Sequence, residues 1–179
     1  MTKDDLIYYI KYEFPKKILL QEFENASANK KSFDGYKHTN TFTTSDTKVE
    51  NFFYVKTKTD ICNNIAKQFF ELYKINYPFY CVFFYMKKNG YMPFHIDKHK
   101  SVCSINVNLN KENKDPIEFY SGKFVYDTAL INTLQPHSIN SSTSDRILFR
   151  ITFYSNDEPF HFNFDNVKNL LLEYDSKNL

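Results

Sequence analysis

The spacing of apolar residues changes near Pro78, and the predicted secondary structure changes with it. Before that point, apolar residues recur at helical intervals and predict one helix over residues 4–14 and another over residues 59–75. The polar stretch 25–48 predicts a loop or a weak hairpin, and residues 51–56 predict a strand. The apolar stripe of the second predicted helix comprises Ile61, Ile65, Phe69 and Leu72.

After Pro78 the apolar residues follow the alternation that is typical of strands. Short connections with turn-forming residues separate these segments. The predicted strands are 79–85, 91–97, 102–109, 117–120, 123–132, 137–139 and 146–154. A last amphipathic helix is predicted over residues 165–174. Short strands at this spacing indicate a sandwich or a barrel, with the helices packed on its outside.

Two of the predicted strands carry mostly polar residues along one face. In the strand over residues 102–109, Asn106 and Asn108 share one face and apolar residues occupy the other. In the last predicted strand, Arg146 and Arg150 share a face. A sandwich turns such a face to water, whereas a barrel with a ligand cavity can point it inward.

The composition is that of a soluble globular protein, with 42% apolar and 25% charged residues. A formal net charge of +2 does not support a nucleic-acid partner, although it does not exclude one. No apolar run reaches the length of a membrane span, and the N-terminus lacks the apolar segment of a signal peptide. Three widely spaced cysteines favour reduced thiols in an intracellular compartment over a disulfide framework or a zinc site.

The length of 179 residues predicts one domain. We expect a flanking region of helices and loops over 1–77, a β-core over 78–155 and a tail with a helix over 156–179. No internal repeat is visible, and nothing marks a firm boundary between these parts.

Candidate metal ligands lie on the predicted strands. His95 and Asp97 are two positions apart, so both side chains point to the same face, and His137 follows 40 residues after Asp97. Two histidines and one carboxylate form the ligand set of non-haem Fe(II) oxygenases. His99 shares the face of His95, but a span of about 13 Å makes it a surface residue or a residue beside the site. His38 and His161 have no partner pattern.

Arginine is rare in this chain, and its placement adds to the picture. Of 23 basic residues, the only two arginines are Arg146 and Arg150, both in the strand that follows His137. An arginine grips a carboxylate with two parallel hydrogen bonds, which lysine cannot do. The pattern therefore indicates an anion-binding role for this strand face.

The motifs Phe94-His95-Ile96-Asp97, 104–110 and the segment from His137 to Phe153 together resemble the Fe(II)/2-oxoglutarate-dependent dioxygenases. The resemblance is strongest to the prolyl-hydroxylase-like branch and runs from about residue 80 to 154. It implies a mainly β protein with flanking helices, folded as a double-stranded β-helix (jelly roll). It also implies that His95, Asp97 and His137 hold Fe(II), and that the protein uses 2-oxoglutarate and O₂ to hydroxylate a substrate.

The same resemblance implies roles for residues around the metal. Arg146 stands where the family binds the far carboxylate of 2-oxoglutarate, with Arg150 as the alternative. Tyr85 matches a tyrosine that often helps to bind the cosubstrate, and Asn108 stands in place of another. Arg150 and Asn106 are candidates for substrate binding.

The resemblance leaves two questions open. The substrate can be a peptidyl residue, a nucleobase or a small metabolite, and the product can be hydroxylated or otherwise oxidised. The alternative from another functional class is a non-catalytic, cupin-like jelly-roll binding module, since a fold does not settle function. An intact set of His95, Asp97, His137 and Arg146 favours the enzyme.

Overall fold

The structure is a computed structural model that describes residues 2–28, 33–39, 46–97, 101–140, 142–156 and 161–178; for 33–39 and 46–50 it describes the backbone alone. A 3-10 helix, Lys3–Asp5, opens the chain. The α-helices are α1 (Lys16–Ser27), α2 (Ile61–Tyr73) and α3 (Phe164–Asn178). The strands are β1 (Ile7–Tyr9), β2 (Phe33–Thr39), β3 (Asp46–Lys56), β4 (Phe79–Met86), β5 (Met92–His95), β6 (Ser101–Asn108), β7 (Ile117–Phe119), β8 (Gly122–Phe124), β9 (Thr128–Ile131), β10 (His137–Ile139) and β11 (Arg146–Tyr154).

The strands form two antiparallel sheets. One has seven strands in the order β1-β9-β6-β11-β4-β3-β2, and the other has four in the order β5-β10-β7-β8. Apolar side chains from both sheets pack together, with Phe84 and Leu148 of the larger sheet against Met92 and Ile139 of the smaller one. This is the predicted jelly roll, mainly β with flanking helices.

Strand β11 shows how the alternation of side chains places the two faces of the larger sheet. It lies between β6 and β4, with Arg150 opposite Asn106 on one side and Val82 on the other. Phe149 and its odd-numbered neighbours are buried against the helices, whereas Leu148 packs towards the smaller sheet. The polar face predicted from the sequence is thus turned inward, to the space between the sheets.

The helices cover the outer face of the larger sheet. Leu19 of α1, Phe69 of α2 and Leu171 of α3 join one apolar cluster with Phe149 and Ile151 of β11. The helices therefore bury their apolar faces on the sheet. The buried residues of α2 are Cys62, Ile65, Ala66, Phe69, Phe70 and Tyr73.

Several predicted elements need correction. The helix predicted over residues 4–14 is wrong, because Ile7–Tyr9 forms β1 at the edge of the larger sheet. The apolar stripe of the second predicted helix is too wide, since Ile61 and Leu72 are exposed. Residues 123–132 form two strands, β8 and β9, instead of one.

The polar stretch predicted over residues 25–48 contains more structure than a loop. Helix α1 extends into it as far as Ser27, and β2 and β3 pair as an antiparallel hairpin. The hairpin alternative therefore fits the described part of this stretch, while residues 29–32 and 40–45 lie outside it.

Candidate metal centre

The structure brings His95, Asp97 and His137 together. His95 is the last residue of β5, and His137 is the first residue of the neighbouring strand β10, directly opposite it. Asp97 follows two residues after His95, and its backbone N–H donates to the Thr133 carbonyl at 3.1 Å. The candidate ligand atoms of all three residues lie within 4.8 Å of one another. Both imidazoles are buried.

Backbone contacts set the tautomer of both imidazoles. Nδ1 of His95 lies 2.8 Å from the Pro93 carbonyl, and Nδ1 of His137 lies 2.8 Å from the Gln135 carbonyl. A carbonyl only accepts hydrogen bonds, so each Nδ1 carries a proton, and a ring that has no second proton has its lone pair on Nε2. These Nε2 atoms lie 3.3 Å and 3.8 Å from Oδ1 of Asp97.

The cluster therefore gathers three electron-pair donors around one point. Two Nε2 lone pairs and a carboxylate oxygen approach this closely only when a cation, either a proton or a metal ion, lies among them. Burial, together with the nearby His95, lowers the pKa of His137 to about 3, which disfavours a second proton on that ring. A divalent metal ion fits this donor set, because imidazole and carboxylate are its ordinary ligands.

The charge of Asp97 is maintained by its neighbours. Burial alone would raise the pKa of Asp97, but the Arg150 guanidinium counteracts it and holds this pKa well below its usual range. Nη2 of Arg150 donates directly to Oδ2 of Asp97. Asp97 thus stays ionised and available as an anionic ligand.

The three residues face a narrow cavity between the sheets, with a volume of about 40 Å³. Part of its wall is apolar and consists of Phe52, Phe84, Met92, Ile117, Ile139 and Leu148. The polar part consists of His95, Asp97, Asn106, Tyr126, His137 and Arg150. An organic ligand larger than a few water molecules must therefore displace some of these side chains as it binds.

A second polar cluster adjoins the cavity around Arg146. Nη1 of Arg146 donates to the Asp115 carbonyl at 2.9 Å, and Nη2 donates to the Tyr126 hydroxyl at 2.8 Å. The Tyr126 oxygen also accepts from Nδ2 of Asn106 at 3.2 Å. Arg146 is 3% exposed, and its Nε has no hydrogen-bond partner within the described residues. Such a buried cation with an unused donor is suited to bind an anion.

Tyr126 was not identified from the sequence, although it connects the two clusters. Its ring lines the cavity, and its oxygen accepts two hydrogen bonds, so its own proton can be donated to a further group. The sequence predicts one continuous strand over residues 123–132, and within such a strand nothing distinguishes Tyr126 from its neighbours. The break between β8 and β9 was the missing signal.

Two predicted cosubstrate residues are placed differently from the expectation. Tyr85 lies on the outer face of β4, where its ring packs against Phe23, and its hydroxyl donates to Asp145 at 2.7 Å. Burial and this carboxylate raise the pKa of Tyr85 to about 12. Asn108 points inward, but its Nδ2 donates to the Asn113 carbonyl at 2.9 Å and its Oδ1 accepts from the backbone N–H of Asn110.

In this structure both side chains make contacts in the scaffold around the site, and their role in cosubstrate binding stays a prediction. The spacing to His95 suggested a role for Tyr85, but the even-numbered residues of β4 face the cavity. The amide of Asn108 fixes the loop that follows β6, and that loop carries the Asp115 carbonyl bound by Arg146.

Of the remaining histidines, the structure describes the side chain of His161 only. His99 and the side chain of His38 lie outside the described residues. His161 is exposed and does not line the cavity. The cluster of His95, Asp97 and His137 is the one group in the described residues that meets the geometry of a metal site.

Solved structures with the same fold have low sequence identity to this chain. A prolyl hydroxylase from Trichoplax adhaerens, in complex with a hypoxia inducible factor oxygen degradation domain peptide fragment, has a TM-score of 0.59 at 11% identity, covering 83% of this chain and 82% of that one. A Pseudomonas putida prolyl-4-hydroxylase has a TM-score of 0.55 at 9% identity, and the match covers 79% of this chain and 86% of that one. A viral collagen prolyl hydroxylase from Paramecium Bursaria Chlorella virus-1 has a TM-score of 0.54 at 10% identity, and the match covers 84% of this chain and 89% of that one.

No family model matches the sequence, and no curated protein matches it. At these identities the structural likeness establishes the fold, so the jelly roll and its resemblance to prolyl hydroxylases are confirmed at that level.

Among the described helices, none combines the length and apolar character needed to cross a membrane.

Proposed function

We propose that this protein is a non-haem Fe(II) dioxygenase that couples the decarboxylation of 2-oxoglutarate to the hydroxylation of a substrate. The observation that carries this proposal is the buried set of three electron-pair donors from His95, Asp97 and His137. The fold shared with prolyl hydroxylases supports it.

In this proposal Nε2 of His95, Nε2 of His137 and Oδ1 of Asp97 hold the iron. When bound, Fe(II) supplies the activation of O₂ that no side chain can provide. The chain's own contribution is to fix the ligands, because the Pro93 and Gln135 carbonyls orient both imidazoles. The surrounding apolar wall excludes water from the reacting groups.

For the cosubstrate we propose Arg146 as the anchor, in preference to Arg150. Cosubstrate binding through the keto acid end leaves the far carboxylate away from the metal. Arg150 is bound to Asp97, whereas Arg146 lies four residues away on the same strand face, about 13 Å along the strand. Arg146 would bind that carboxylate with its Nε, and the Tyr126 hydroxyl would donate a second hydrogen bond.

The substrate is left unidentified: a peptidyl residue, a nucleobase or a small metabolite. Asn106 was predicted to contact it, and its amide instead bonds Ser104 and Tyr126, so we propose that Asn106 orients Tyr126. The alternative of a non-catalytic jelly-roll module has no specific observation in its favour, because the metal ligands and Arg146 are all in place.

We further propose that the chain works as one domain in a reducing compartment. All three cysteines are free and buried, and burial raises the pKa of the Cys62 thiol to about 12, so that it stays protonated and unreactive.

The test is anaerobic titration with Fe(II), followed by measurement of succinate from 2-oxoglutarate after O₂ is admitted. We expect one Fe(II) per chain and slow succinate formation even without substrate, and both lost in Asp97→Ala. Lys168→Ala on α3, whose ammonium pairs with Asp165, is a control that leaves the cavity intact. Stoichiometric iron without any succinate would favour the binding-module alternative.

A further inference from the structure

We propose that Arg150 is a positioning residue that holds Oδ2 of Asp97 away from the metal, so that Asp97 coordinates through Oδ1 alone. The inference rests on the proposed metal site. It concerns the number of coordination positions that the site leaves open for cosubstrate and O₂.

The two oxygens of Asp97 face different partners. Oδ1 lies 3.3 Å from Nε2 of His95 and 3.8 Å from Nε2 of His137, so it is the oxygen directed into the ligand set. Oδ2 accepts a hydrogen bond from Nη2 of Arg150. The side chains of Asp97 and Arg150 are 9% and 11% exposed, so water competes little for this ion pair.

Arg150 is itself held firmly. It lies in the middle of β11, paired with Val82 of β4 and Asn106 of β6, so its backbone is fixed on both sides. Its guanidinium lies over the Phe84 ring, 5.2 Å from the ring centroid. A guanidinium held in this way keeps its hydrogen bond to Oδ2 when Oδ1 binds a cation, because the two oxygens point in different directions.

Whether Asp97 binds through one oxygen or two decides how many coordination positions of the metal ion are left for cosubstrate and O₂. A carboxylate binds a metal ion through either one or both of its oxygens. With one donor atom each from His95, His137 and Asp97, a six-coordinate ion would keep three open positions. A keto acid would need two of them and O₂ the third. A second oxygen from Asp97 would occupy one position and make cosubstrate and O₂ compete for the remainder.

Infrared spectroscopy of the Mn²⁺-loaded protein, with ¹³C-labelled aspartate, tests this directly. The separation between the two carboxylate stretching bands is wide for one-oxygen coordination and narrow for two-oxygen coordination. We expect the wide separation in wild type and the narrow one in Arg150→Met. We also expect Arg150→Met to bind Mn²⁺ at least as tightly, but 2-oxoglutarate about tenfold more weakly, because the keto acid must displace a carboxylate oxygen.

Arg146→Met removes the other buried arginine of the same strand face and is the matched control, for which the wide separation is expected. Arg150→Gln retains an amide donor and should recover part of the 2-oxoglutarate affinity. It serves as the second variant if Arg150→Met does not fold. A narrow separation of the carboxylate bands in wild type overturns the inference, and so does a separation that stays wide in both Arg150 variants. Neither result contradicts the proposed metal site. Failure of wild type to bind Mn²⁺ overturns the metal site and the inference with it.

Discussion

Replacement of Arg146 by alanine probes the proposed cosubstrate site most directly. Arg146 is 3% exposed, so an ion pair between its guanidinium and the far carboxylate of 2-oxoglutarate is screened little by water. Loss of one partner of such a desolvated pair costs about 2–5 kcal/mol, which is roughly 30- to several-thousand-fold in affinity. We therefore expect 2-oxoglutarate binding to weaken by this factor while Fe(II) binding is retained.

The contacts of Arg146 also predict how stability changes. In Arg146→Ala the Asp115 carbonyl and the Tyr126 hydroxyl each lose a charged donor, which costs about 2–4 kcal/mol in free energy of unfolding. Thermal unfolding of the iron-loaded protein shows whether the variant is folded under the assay conditions. Arg146→Lys restores the charge without the planar fork, so it should recover only part of the cosubstrate affinity.

The assay is anaerobic calorimetric titration of the Fe(II) protein with 2-oxoglutarate, followed by succinate formation at increasing cosubstrate concentration. Lys16→Ala is the matched control: its ammonium pairs with Asp127, the neighbour of Tyr126, but lies outside the cavity. If Arg146→Ala binds 2-oxoglutarate like wild type, Arg146 is not the anchor and the proposed assignment is wrong, whatever Arg150→Ala does. If neither variant differs from wild type, neither arginine anchors 2-oxoglutarate and the proposed cosubstrate site is wrong.

Three further predictions concern the metal, acid stability and the fold. Asp97→Ala should lose stoichiometric Fe(II) binding in anaerobic titration, and equal affinity in both proteins would refute the ligand assignment. In the metal-free protein, burial and the nearby His95 lower the pKa of His137 from 6.5 to about 3, so its stabilising effect is present above pH 6.5 and lost as the pH falls towards 3. As the pH falls from 6.5 to 4.5, the free energy of unfolding measured with urea should decrease by about 2–3 kcal/mol more in wild type than in His137→Gln. An equal decrease in both proteins would contradict this. A fragment of residues 78–179 lacks α1 and α2 and should show no cooperative melting, whereas a sharp transition would mean that these helices are dispensable.

The alternation of side chains was the most reliable guide in the sequence. It placed Arg146 and Arg150 on one face of their strand and Asn106 on the polar face of another, and the structure turns both faces inward. The same rule explains why Tyr85 lies on the outer face of the sheet. Its distance from His95 along the chain suggested a role in the site, but the cavity face of β4 carries the even-numbered residues.

The N-terminal segment was misread because its apolar spacing fits two structures. Leu6, Ile7 and Ile10 recur at helical intervals, yet Ile7 pairs with Ile131 as part of an edge strand. Sequence spacing alone cannot reveal that β9 offers an unpaired edge far along the chain. Tyr126 was missed for a related reason, since its contacts with Arg146 and Asn106 join segments that the sequence shows as unrelated.

The central place of β11 in the larger sheet has a consequence for biosynthesis. β4 and β6 are both made before β11, yet in the finished sheet each pairs with it. During translation these two strands therefore carry unpaired edges, which attract other chains until residues 146–154 have emerged from the ribosome. Since Arg150 comes from that late strand, the nascent chain cannot complete the Asp97 contact until β11 has been made, although all three candidate ligands precede it in the chain.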